Sequence, residues 1–97
     1  MKYDVYFTDD ARADLLQIAD YIAQDNIERA ITLVYELETR IEKTLSIFPH
    51  SGKIYKNATY SFPLNGRIVF YEVDESAKSV FVMNVTGATT DWKNNID

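Results

Sequence analysis

The sequence predicts an α+β domain of order β-α-α-β-β-β, a small antiparallel twisted sheet packed against an N-terminal helical hairpin. Three observations carry this. Two amphipathic stretches follow one another with almost no linker, the second half alternates in strand fashion around an Asn-Gly turn, and a short alternating segment precedes both helices. One domain over residues 1–97 is expected, with neither repeats nor a linker.

Lys2–Phe7 (KYDVYF) puts Tyr3, Val5 and Phe7 on one face and reads as a strand. Thr8 offers an N-cap, and Asp9 and Asp10 suit the positive end of a helix dipole. Ala11, Leu15, Ile18, Ala19 and Ile22 recur at helical spacing, which carries the first helix to about Gln24. Asp25 with Glu28 three positions later has the form of a capping box for the second helix. Its apolar stripe runs through Ile27, Ala30, Ile31, Val34, Leu37, Ile41, Leu45 and Phe48, and Pro49 ends it before a His50-Ser51-Gly52 turn.

Ala58–Leu64 is strand-like with Pro63 inside it, so an edge position or a strand end is expected there. Asn65-Gly66 is a two-residue hairpin signal, Arg67–Val73 is a strand, Asp74–Lys78 turns, and Ser79–Val85 returns. The two helices share an apolar side that must cover the meander, with the first strand joining the sheet.

With 97 residues, 46% of them hydrophobic, the chain buries about two-thirds of its unfolded surface. There is no cysteine, which removes disulfides, thiolate metal sites and thiol nucleophiles. No signal peptide or long apolar run is visible, so a soluble cytoplasmic protein without membrane contact is expected. The net charge of -5 is uneven: five basic and ten acidic residues reach Phe48, and the rest of the chain holds five of each. An acidic half repels phosphate, so strong binding of free nucleic acid is not expected.

His50 is the one histidine, it follows a proline in a turn, and no metal site is expected around it. No Gly-rich phosphate loop, nucleophile elbow or zinc-binding helix motif occurs. Metal-free cleavage of RNA would need a base for the 2′-hydroxyl, an acid for the leaving oxygen and cations for the phosphorane. Lys53, Lys56, Arg67, Lys78 and Lys93 supply cations in the second half, and Tyr55, Tyr60 and Tyr71 supply hydroxyls. The bland alternatives are a hairpin-end arginine in a surface ion pair and tyrosines that pack in or around the core.

Four stretches in order give the chain a resemblance to the RelE/ParE toxin superfamily, the toxic halves of bacterial type II toxin–antitoxin modules. They are VYFTDDARADLLQIADYI, IEKTLSIFPHSG, SFPLNGRIVFYEVDE and VFVMNVTGATTD, which together span almost the whole chain. The resemblance implies the fold reached above and one of two activities: metal-independent cleavage of messenger RNA on the ribosome, or inhibition of DNA gyrase. It also implies a cognate antitoxin that wraps the toxin, a role such as plasmid stabilization, and no cofactor.

Nuclease-like members end the last strand with His or Tyr, two small residues, Arg and often Asp. Laid on this sequence, those positions are Gly87, Thr90 and Asp91. An arginine common in the family before the hairpin proline falls at Tyr60, and Arg67 falls where the family has an aromatic or an arginine. Glycine cannot donate a proton and threonine cannot neutralise phosphorane charge; each such loss typically costs about 10²–10⁴ in rate.

The expectation is therefore a toxin-like component that acts by binding a protein, with a gyrase-type target. The alternatives are a ribosome-dependent ribonuclease using Arg67, Lys56, Tyr60 and Tyr71, and an inactive toxin-fold binding module. Tyr55, Tyr60, Arg67 and Trp92 are the expected partner anchors, at a sheet edge or the groove beside it.

Overall fold

A computed structural model describes residues 2–86. Its elements are β1 (Asp4–Phe7), α1 (Asp9–Ala23), α2 (Ile27–Ile47), β2 (Lys53–Lys56), β3 (Thr59–Leu64), β4 (Arg67–Asp74) and β5 (Ser79–Val85). The five strands form one sheet in the order β1-β5-β4-β3-β2.

The local signals act where they were read. Thr8 is extended and its hydroxyl accepts from the Ala11 N–H, so it caps α1. Asn65 and Gly66 both take positive φ, the backbone of a tight two-residue hairpin joining β3 to β4. The cap of α2 differs from expectation. Asn26, not Asp25, is extended and accepts from the Arg29 N–H at 2.9 Å. The N–H groups of Asp25 and Asn26 both donate to the Ile22 carbonyl, so Asp25 is still closing α1.

Two features of the sheet were not foreseen. The four residues of β2 are all exposed, with no apolar face to betray a strand; the backbone of β3 recruits them in register. A short edge strand with lysine at both ends also resists further pairing. In addition β1 is parallel to β5, while every other pairing is antiparallel.

The helical hairpin covers one face of the sheet. Ala11, Leu15 and Ile18 of α1 and Leu33, Leu37, Ile41 and Leu45 of α2 meet Val69, Tyr71, Val80, Val82 and Val85 in a single core. The α2 stripe sits differently from its sequence reading. Leu33 is buried, whereas Ile27 and Ile31 are each 67% exposed and Phe48 is exposed.

In β5 a bulge opposite Phe70 and Tyr71 leaves Val82 and Val85 both facing the core although they are three apart. Thr8 holds this kink, its hydroxyl donating to the Val82 and Met83 carbonyls. Asp14 accepts from the Val85 N–H at 2.9 Å and the Asn84 amide at 3.2 Å, so α1 pins the end of the last strand.

Candidate functional site

Each helix carries a second apolar stripe beside the one it buries. On α1, Leu16, Ala19 and Ala23 recur three and four apart, next to the buried Leu15 and Ile18. On α2, Ile27, Ile31, Val34 and Tyr35 do the same beside Leu33 and Leu37. The two stripes face each other across the hairpin and enclose a groove of about 590 Å³. Alanines line it between larger side chains, which leaves a trough rather than a ridge. Leu16, Ile27, Ile31 and Tyr35 stand on its walls, with Tyr35 70% exposed, and Arg12, Asp20 and Glu38 supply the polar rim.

Contiguous exposed apolar surface of this kind marks an interaction site. A further recess of about 340 Å³ shares Arg12, Tyr35 and Glu38 with the groove and continues it to Val5, Tyr6 and Phe7 of β1. There β1 is an edge strand whose outer side pairs with no other strand among the described residues. Groove and strand edge are thus one continuous surface.

The groove residues were not singled out as a site from sequence. The available signal was an α2 stripe too wide for one buried face, since Ile27 and Ile31 lie about a quarter turn off the line of Leu33, Leu37 and Ile41.

The residues expected to carry chemistry are separated. Tyr71 is fully buried, its ring stacked on Tyr60 at 5.4 Å and edge-on to Phe62. Its hydroxyl accepts from the Gly52 N–H at 3.0 Å. Burial pushes this phenol above its ordinary pKa, and the Gly52 hydrogen bond offsets part of that shift. Gly52 belongs to the arrangement because a Cβ there would lie 2.6 Å from the Ser61 carbonyl and 2.8 Å from the Tyr71 hydroxyl.

Tyr60 is half-buried between Tyr71 and the His50 ring. Lys56 is exposed at the end of β2, opposite Thr59. Arg67 lies four residues along β4 from Tyr71, roughly 13 Å at the rise of a strand. The structure brings Tyr60 and Tyr71 together and holds Arg67 at the far end of their sheet. Tyr55, on exposed β2, packs edge-on to Phe70 at 4.8 Å. Trp92, Gly87, Thr90, Asp91 and Lys93 lie outside the described residues.

A cluster at the other rim was invisible in the sequence. Glu75 in the β4–β5 turn pairs with His50 and accepts from the Tyr3 hydroxyl at 2.7 Å, and the Lys78 ammonium sits over the Tyr3 ring. The Tyr3 hydrogen bond, then His50, holds the Glu75 carboxyl below its ordinary pKa, and the same Tyr3–Glu75 bond raises the Tyr3 phenol. This clasp ties the residue preceding β1, the α2–β2 turn and the β4–β5 turn together. Among the described residues no three His, Asp or Glu side chains converge as metal ligands would, and no helix is long and apolar enough to cross a membrane.

Residues 5–92 match a family model described as the ParE toxin of the type II toxin–antitoxin system parDE. The fold is similar to a chain of the RelBE2 toxin–antitoxin complex from Mycobacterium tuberculosis, with TM-score 0.71 and 22% identity over 92% of this chain and 94% of that one. It is similar to a chain of the chromosomal ParDE system from P. aeruginosa, with TM-score 0.74 and 18% identity over 90% and 97%. A chain of the intact E. coli RelBE complex gives TM-score 0.61 and 20% identity over 89% and 96%. At such identities these likenesses establish the fold. No curated protein sequence matches the chain.

Proposed function

The chain belongs to the ParE toxin family of type II toxin–antitoxin systems, and from that premise we propose that it works by gripping a protein target and is silenced by a cognate antitoxin seated in the α1/α2 groove. The observation that carries this is the groove itself: two apolar stripes, exposed and facing each other, next to an unpaired strand edge. Such a surface suits an amphipathic helix followed by an extended segment, the helix laid in the trough and the strand added to β1. The similar solved structures include toxin–antitoxin complexes, which supports a partner of that kind. The target is of the gyrase type, and the module acts in the bacterial cytoplasm in a plasmid-stabilization role.

A binding mode also suits the placement of the titratable groups. The Tyr71 hydroxyl is out of reach of a substrate and already engaged, and Arg67 lies at the other end of the strand. The ribosome-dependent nuclease of the alternative would need them beside one scissile phosphate.

Expression of the gene alone should arrest growth, and co-expression of its antitoxin should restore it. Purified protein should inhibit gyrase supercoiling and leave messages on translating ribosomes intact. Leu16→Glu and Ile31→Glu alter exposed positions, so they should preserve the fold and abolish antitoxin rescue. Rescue by the antitoxin despite both substitutions would remove the groove from the account, and cleavage of message without gyrase inhibition would replace the target.

A further inference from the structure

Arg67 is charged and partly buried, and it has no ion-pair partner among the described residues. Its register partner Leu64 is buried on the helix side of the sheet, and Val69, two residues on, is fully buried in the core. Arg67 therefore lies on the helix face at the rim beside the Asn65-Gly66 turn. Its Nε is shut off from water and has no hydrogen-bond partner among the described residues.

A second guanidinium reaches the same turn. Arg40 of α2 donates from Nη1 to the Asn65 side-chain oxygen at 3.4 Å, a stretched contact, and no carboxylate pairs with either arginine among the described residues. The chain holds 15 acidic against 10 basic residues, so internal partners are not scarce in composition. An arginine cannot shed its proton, and a buried N–H left without an acceptor carries a desolvation cost that a bound oxygen would relieve. Its fork of donors matches the two oxygens of a carboxylate or phosphate.

We propose that Arg67, assisted by Arg40, is an oxyanion seat at the β3–β4 turn that receives an acidic side chain of the bound antitoxin. This occupant rests on the antitoxin pairing proposed above. At 100° per residue Arg40 falls on the opposite flank of the buried α2 stripe from Ile31, Val34 and Glu38. The seat is thus a second anchor, separate from the groove, and a partner filling both must wrap the hairpin. A carboxylate fits better than a nucleic-acid phosphate, because a chain of net charge -5 repels a polyanion yet accepts one acidic side chain into a local cationic spot.

The test uses the full chain and its cognate antitoxin, with Arg67→Met, Arg67→Lys and Arg40→Gln beside the wild type. Free Arg67→Met should melt at or above the wild-type temperature, because no partner among the described residues is lost. Its antitoxin affinity should fall about 30-fold or more, with Arg67→Lys and Arg40→Gln in between. In a second arm, acetate at matched ionic strength should raise the melting temperature of the free wild type and not that of Arg67→Met.

Undiminished antitoxin binding by Arg67→Met overturns the proposal. So does a destabilised Arg67→Met mirrored by Asp91→Asn, which would assign the seat to the chain's own tail. Stabilisation by inorganic phosphate with acetate silent would reject the carboxylate. An antitoxin that fails to bind even the wild type removes the named occupant along with the function above, and the acetate arm then still decides whether the seat exists.

Discussion

Replacing Tyr71 with phenylalanine removes one oxygen atom and separates a structural from a catalytic tyrosine. The ring keeps its stacking on Tyr60 and its edge contact with Phe62, so the core loses no volume that matters. What disappears is the acceptor for the Gly52 N–H. A typical hydrogen bond contributes about 0.5–1.5 kcal/mol net, and an N–H left without a partner in a buried setting costs about 1–3 kcal/mol. Gly52 is half-buried, so water reaches it in part, and a loss of about 1–2 kcal/mol is expected. For a domain of this size that lowers the melting temperature by roughly 4–16 °C.

Gly52→Ala attacks the same contact from the other side. The new Cβ meets the Ser61 carbonyl, fixed in the sheet, and the Tyr71 hydroxyl, so overpacking should cost about 1–3 kcal/mol. In the double variant Gly52→Ala/Tyr71→Phe the hydroxyl clash is gone, and the combined loss should fall short of the sum of the two singles. Thermal and urea unfolding of the four proteins measure this directly. Growth arrest, assayed at a temperature where Tyr71→Phe remains folded, should match the wild type. A Tyr71→Phe protein as stable as the wild type but without toxicity would refute the structural role and return the hydroxyl to chemistry.

Other expectations follow from the same geometry. Asp14→Ala should cost about 1–3 kcal/mol, since its carboxyl oxygen holds both the backbone and the side chain at the end of β5, and hydrogen exchange at Val85 should accelerate. Asn26→Ala should cost about 1 kcal/mol in chemical denaturation, and Asp25→Ala far less, because Asn26 is the cap. Glu75 has a depressed pKa in the fold, so its stabilisation is present above the unfolded carboxylate value of 4.5 and is lost as pH falls through the folded value. Glu75→Gln should therefore flatten the acid limb of a stability–pH curve, and an unchanged limb would show that the His50–Glu75–Tyr3 clasp contributes nothing.

Features determined within a few residues of chain were legible in the sequence. The Thr8 cap, the stop at Pro49, the Asn65-Gly66 hairpin and the strand Ser79–Val85 each depend on φ/ψ preference, side-chain reach and hydrophobic period, which are local quantities. The family resemblance drew on the same ordered signals, and the ParE toxin match over residues 5–92 bears it out.

The remainder was decided by contacts between distant segments. Strand β2 exists because β3 lies beside it, and the parallel direction of β1 is set by its pairing with β5 at the other end of the chain. The Tyr71 hydroxyl was assigned a chemical role from residue type alone, yet its environment is set by Gly52, nineteen residues away. His50 meets Glu75 across 25 residues, and Arg67 has no carboxylate partner among the described residues although the chain is rich in them. A sequence lists ionisable groups without their dielectric surroundings or neighbours, and only packing supplies those. The same holds for the groove: apolar periodicity located the stripes, but which stripe the sheet covers and which stays open depends on where α1 and α2 come to rest.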